Sequence, residues 1–223
     1  MRCTSRFERL AYQAGRRLIA GVDEVGRGAL FGPVVAAAVI LPRSHGIRGI
    51  NDSKQLDPGV REELAEKIRA AAVAWSVAAV DAARIDAMNI LQASREAMRE
   101  AVLGLNPRPD AAFIDALKLD LPWEIEQKAI VPGDARCVSI AAASIVAKVH
   151  RDRLMREWDA IFPEYDLASN KGYGTPRHKQ ALREAGPSPS HRRTYYPVAV
   201  TSLFPVRWKK ETETLSLFAG EGE

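Results

Sequence analysis

Two apolar runs flanking an acidic, glycine-rich turn, further short apolar runs alternating with helical spacings, and one long helix that turns from small residues to basic ones predict an α/β domain with a helical C-terminal extension. Residues 19–22 and 34–41 have the length and β-branched content of buried strands, and Gly26, Gly28, Gly32 and Pro33 punctuate their connection. The result is a hairpin with acids at its centre. Asp23 and Glu24 interrupt a segment that would otherwise bury itself, and an ionised carboxylate there is costly unless a cation or hydrogen bonds offset it. Capping the following turn is the blander use of such acids.

In front of the hairpin, Phe7, Leu10, Ala11 and Ala14 are spaced for a short packing helix over 7–17. After it, the polar loop 49–56 ends at Asp57-Pro58, where Asp57 can cap and Pro58 can occupy the first turn of a helix whose apolar face is Leu64, Ile68 and Ala71 or Ala72. Residues 75–80 read as a third strand. Leu91, Met98, Val102 and Leu105 predict one helix over 85–105, stopped by Asn106-Pro107. Residues 111–115 form a short buried strand presenting Asp115 at its tip, and 128–131 repeat the strand signal. The long helix covers 138–162. Its first half is rich in alanine, which allows close approach to a sheet, and its second half is basic and amphipathic. A loop at 170–176, a short helix at 176–185 and an irregular basic segment at 186–197 complete the pattern. Repeats and long linkers are absent, so the reading is one domain over 1–200 with a tail at 201–223.

A chain of 223 residues with 47% hydrophobic content can bury a full core. Cys3 and Cys137 form neither a disulfide framework nor a metal-ligand spacing, which suits a reducing compartment and predicts a cytoplasmic protein. The N-terminus lacks the apolar centre of a signal peptide, and the uncharged run at 29–42 is too short to span a bilayer, so no membrane role is expected. Net charge is +4, but residues 148–210 hold 13 Lys/Arg against 6 Asp/Glu, so the basic third favours a polyanionic partner.

Four acids stand out: Asp23 and Glu24 after the first strand, Asp115 at a strand tip, and Asp134 before the long helix, where it could also serve as a cap. Convergent carboxylates without cysteine or histidine partners suit hard cations such as Mg²⁺ or Mn²⁺, the ions of two-metal phosphodiester hydrolysis. Adjacent residues on a regular strand face opposite ways, so Asp23 and Glu24 reach one site only if the strand ends or bends at Glu24.

At this point the sequence resembles the bacterial type 2 ribonucleases H, the ribonuclease HII family, from about residue 18 to 198. The resemblance rests on Gly-Val-Asp-Glu-Val-Gly-Arg-Gly at 21–28, Asn-Asp-Ser-Lys at 51–54, Phe-Ile-Asp at 113–115, and Gly-Asp at 133–134. It continues through Ala-Ala-Ala-Ser-Ile-Val-Ala-Lys-Val at 141–149, Arg-Asp at 151–152, Lys-Gly-Tyr-Gly-Thr at 171–175 and His-Arg-Arg at 191–193. Phe31, Asn170 and Tyr195 depart from the family's usual small residue, histidine and phenylalanine. The resemblance implies a ribonuclease H-like fold, a mixed sheet of about five strands flanked by helices and opening with an antiparallel hairpin. It implies a catalytic and metal-binding set of Asp23, Glu24, Asp115 and Asp134 with Mn²⁺ or Mg²⁺, acting on RNA/DNA hybrids and on DNA duplexes containing ribonucleotides. Cleavage 5′ to the RNA–DNA junction by a two-metal route would leave a 5′-phosphate and a 3′-hydroxyl, the chemistry of ribonucleotide excision. Gly26, Arg27 and Gly28 would lie against the ribonucleotide, Arg27 and Lys54 would hold phosphate, and Tyr173 would stack on the following sugar. His178 and His191 receive no chemistry. A monomer is expected.

Other nucleases of the ribonuclease H-like superfamily and a non-catalytic nucleic-acid binder are the rival readings; ribonuclease HIII is disfavoured because its extra N-terminal domain has no room before Leu18. Outside the matched region, Thr214-Leu215-Ser216-Leu217-Phe218 resembles the short peptide that docks on the bacterial sliding clamp, with Thr214 in place of glutamine. Leu215, Leu217 and Phe218 would fill an apolar pocket on that partner or pack on the protein's own surface.

Overall fold

The structure, a computed structural model, describes residues 3–202; the tail beyond them, including the clamp-like peptide at 214–218, lies outside the described residues. The elements run α1 (Arg6–Gln13), β1 (Ile19–Val25), β2 (Val34–Ile40), α2 (Pro58–Ala71), β3 (Ala74–Val80), α3 (Ala82–Met88), α4 (Ile90–Leu103), β4 (Ala111–Asp115), β5 (Glu126–Ile130), α5 (Val138–Ile161), α6 (Leu167–Asn170), α7 (Pro176–Ala185) and α8 (Tyr196–Ser202). Five strands form one mixed sheet in the order β3-β2-β1-β4-β5. The antiparallel β1–β2–β3 meander is the expected hairpin plus a third strand, and β4 and β5 add in parallel.

The central strands of the sheet are buried on both faces, which is why β2 reads as an unbroken apolar run. Ala20, Val22, Ala36, Ala38 and Ile114 pack against Ala97, Met98, Ala101 and Val102 of α4. On the opposite face Ala37 and Val39 meet the alanine-rich half of α5, with α2 beyond it. Gly21 brings α5 close, since a Cβ there would lie 2.0 Å from the Ser139 carbonyl carbon. The start of α5 is held from a distance: Glu8 of α1 is buried, and its Oε1 accepts from Ser139 N at 2.8 Å, Ser139 Oγ at 2.9 Å and Cys137 Sγ at 3.1 Å. The first helix therefore caps the longest one as well as packing, and Asp134 is not the cap.

Three local expectations change. The helix expected over 85–105 is two, α3 and α4, because Asn89 takes φ +74° and its Oδ1 accepts from Leu91 N and Gln92 N, starting a new helix. Leu91 is consequently exposed instead of part of the buried face. Asp57 sits at the N-cap position of α2 but its side chain makes no capping bond; Pro58 supplies the start. The strand carrying the paired acids does not end at Glu24 but runs to Val25. Among the described residues no helix is long and apolar enough to cross a membrane.

Gly21→Ala is expected to destabilise the fold by about 3 kcal/mol, a melting-temperature drop of about 6–12 °C by thermal unfolding. An unchanged melting temperature would mean that α5 does not press on β1 there.

Candidate active site

Register brings the first two acids together. The parallel β1–β4 pairing ends at Val22↔Ile114, so the next residues, Asp23 and Asp115, stand side by side at the strands' C-terminal ends. Both carry the parity of Gly21 and Phe113, the face covered by α5 and α1. Glu24 has the opposite parity, yet each of Asp23, Glu24 and Asp115 offers a carboxylate oxygen within 4.8 Å of the others. The pairing of β1 with β4 ends after Val22, so β4 does not cover the flank of β1 at Glu24.

Hydrogen bonds then fix the cluster. Asp23 Oδ1 accepts from Glu24 N at 2.8 Å, and the Ser144 hydroxyl of α5 bonds to the Asp23 carboxylate. Ser144 and Ser53 hydroxyls share a 2.9 Å bond that ties in the 51–54 loop. Asp115 Oδ1 accepts from Gly133 N at 2.7 Å, which seats Asp134 beside it. Asp134 is buried and lies outside the tight trio, its Oδ2 3.5 Å from Lys54 Nζ. Arg27 Nη1 lies 3.3 Å from Glu24 Oε1.

Burial, then the neighbouring carboxylates of Glu24, Asp115 and Asp134, push Asp23 well above the usual carboxylate range. Burial likewise raises Glu24 and Asp115, with Arg27 opposing the rise at Glu24 and the Gly133 amide opposing it at Asp115. Burial alone would lower Lys54, but Asp134, Asp23 and Asp52 outweigh it and raise its pKa. Glu24 Oε2 is buried without a hydrogen-bond partner. Oxygen donors at this spacing, one of them orphaned, fit a hard divalent cation.

The other sequence-derived candidates form a rim around this floor. Arg27, Gly28, Lys54 and Tyr173 are exposed, and a Cβ at Gly28 would lie 4.0 Å from Tyr173 Cε1, so turn and aromatic adjoin. Gly26 faces inward: with φ +92° and a virtual Cβ 2.2 Å from Arg151 Nε, it admits only glycine because it rests on that arginine. His178 and His191 are buried, with their Nε2 atoms 3.0 Å apart. Sequence reasoning assigned no role to Ser53, Ser144, Arg151 or Arg192; their presence inside the quoted motifs was the only available signal.

A family model described as Ribonuclease HII matches residues 20–198. The chain belongs to the ribonuclease HII family. The ribonuclease HII of Koribacter versatilis is 59% identical over 202 residues, covering 91% of this chain and 79% of that protein. Among solved structures, the ribonuclease H2 of Pyrococcus horikoshii OT3 superposes with a TM-score of 0.71 at 30% identity, over 83% of this chain and 97% of that one. The ribonuclease HII in the PCNA complex from Archaeoglobus fulgidus does so with 0.67 at 27%, over 82% and 96%. As a ribonuclease HII, the chain is a metal-dependent ribonuclease that cleaves RNA in RNA/DNA hybrids.

The raised carboxylates give a signed pH effect. A folded-state pKa above the unfolded value of about 4 means that the native state holds protons more tightly, so the stability these groups contribute is present below about pH 4 and lost as pH rises through the raised values. In chelator, Asp23→Asn is expected to melt with wild type near pH 4 and about 2–4 °C above it by pH 8, equivalent to about 1 kcal/mol; with metal present, the variant should lose the cleavage that wild type shows. Melting curves that coincide at every pH would contradict the shared burial of charge.

Proposed function

We propose that this enzyme nicks DNA duplexes at embedded ribonucleotides, 5′ to the RNA–DNA junction, in addition to cleaving hybrids. The adjacency of exposed Gly28 and Tyr173, at the rim of the carboxylate cluster, carries this reading. A glycine leaves room for a sugar to approach the backbone, and the 2′-hydroxyl, both donor and acceptor, is what distinguishes a ribonucleotide. The Tyr173 ring offers a stacking face for the next sugar, so turn and ring together read a ribose followed by a deoxyribose. Gly26 supports the turn from behind, and the Arg27 guanidinium and Lys54 ammonium supply positive charge for the phosphates on either side.

Asp23, Glu24 and Asp115, with Asp134 beside them, would hold two divalent ions, Mn²⁺ or Mg²⁺. Bound there, such ions supply Lewis acidity and a water of lowered pKa. The bond balance is hydrolytic: water adds to phosphorus, the bond from phosphorus to the 3′-oxygen breaks, and a 5′-phosphate and a 3′-hydroxyl result. Residues 1–200 would constitute the catalytic unit and residues 201–223 a tail. The complex of a related ribonuclease HII with PCNA, and the spacing of Leu215, Leu217 and Phe218, support a sliding clamp as partner of that tail.

Cleavage-site mapping on duplexes with one, several or no ribonucleotides tests the reading. One cut at the single ribonucleotide, cuts within the run, and none in all-DNA are expected, and a chain ending at residue 213 should cut short duplexes equally well. Cleavage of runs only, or of all-DNA duplex, would overturn the junction reading.

A further inference from the structure

Two arginines in the quoted motifs take no part in the chemistry above, and both are fully buried. The Arg151 guanidinium donates from Nε to Pro33 O at 3.1 Å, from Nη2 to Phe31 O at 3.1 Å and from Nη1 to Lys171 O at 2.8 Å. Its Cζ lies 5.6 Å from the centre of the Tyr173 ring, and its stem fills the space behind Gly26. Arg192 donates from Nε to Gly32 O at 3.0 Å and from Nη1 to both Arg27 O at 2.8 Å and Tyr195 Oη at 3.1 Å, while Tyr195 Oη donates to Arg27 O at 2.6 Å. Backbone bonds lace the same segments: Leu30 N to Gly172 O, Gly32 N to Ser190 O, and Arg192 N to Leu30 O.

Burying a guanidinium carries a desolvation cost that the carbonyls offset, and an apolar side chain in its place would leave those carbonyls without donors. What a rigid planar fork also supplies is fixed geometry between backbone segments distant in sequence. Arg151 joins the turn at 27–33 to the loop bearing Tyr173, while Arg192 ties the two ends of that turn, at Arg27 and Gly32, to each other.

We infer that Arg151 and Arg192 are positioning residues: Arg192 fixes the shape of the Gly28 turn, and Arg151 locks that turn to the Tyr173 loop at the spacing needed to read a ribonucleotide. The inference rests on the proposal that turn and ring contact that nucleotide. Tyr195, where the family usually has phenylalanine, adds a hydroxyl to the same lock at Arg27 O.

The test compares wild type with Arg151→Lys, Arg192→Lys and Tyr195→Phe on a duplex holding one embedded ribonucleotide, alongside Mn²⁺ affinity by calorimetry and thermal unfolding. Lysine keeps the charge but loses the fork. For each folded lysine variant KM should rise about tenfold or more, with kcat changed less than about threefold and Mn²⁺ affinity unchanged. Tyr195→Phe, which leaves the packing intact, should raise KM about threefold, in line with one lost hydrogen bond. Should both lysine variants fail to fold, that tyrosine result decides alone. Unchanged KM in the folded variants, or parallel losses of kcat and metal affinity, would overturn the assignment. A wild-type enzyme that leaves the single-ribonucleotide duplex uncut would instead refute the underlying reading, and this one with it.

Discussion

Carboxylates that repel one another are held together because a parallel pair of strands ends in register. Asp23 and Asp115 follow the last β1–β4 pair, and nothing short of a register slip, which would exchange the faces a strand presents to the two helical layers, separates them. The cost of this arrangement is visible in the raised pKa values of Asp23, Glu24 and Asp115. The surrounding scaffold compensates. Gly21 lets α5 lie against the strand, Ser144 bonds the buried aspartate, Glu8 secures the start of α5, and Gly133 seats Asp134.

The same economy governs positive charge. The basic excess of the C-terminal third suggests a broad polyanion-binding face, but much of it is engaged by the protein itself, in the interior or in surface ion pairs. Arg151 and Arg192 are buried, Lys148 pairs with Asp152, Arg156 with Glu62 and Arg177 with Asp166. The cations beside the acids are few, Arg27 and Lys54, and each lies against a carboxylate that a bound cation would engage. Under the proposed mechanism metal and phosphate binding would be coupled, since a cation neutralising Glu24 and Asp134 would free both side chains for the substrate.

Features with a local physical cause were legible in the sequence. The hairpin, the two-sided burial of β2, the alanine-rich half of α5 and the helix starting at Pro176 each follow from a run of residues whose neighbours in space are their neighbours in sequence or an unspecific apolar layer. Long-range polar contacts were not. Glu8 reads as a surface acid of an amphipathic helix until α5 is placed above it. Asn89 sits inside a regular apolar spacing, and its positive φ and double capping bond break a helix that periodicity joins. The parity argument at Asp23 and Glu24 holds for a strand paired on both sides, and beside Glu24 the pairing with β4 has already ended. Phe31, an unusual residue for its position, packs edge-on to Trp158 and His191, so the departure is absorbed by the aromatic core.

The most direct test of a shared metal site is thermal unfolding of wild type and Asp115→Asn across a Mn²⁺ titration. A cation held by the clustered acids should stabilise wild type by about 2.7 kcal/mol at a hundredfold excess over its dissociation constant, and the variant far less. Equal shifts in both proteins, or none in wild type, would contradict the convergence of these carboxylates on one ion-binding centre.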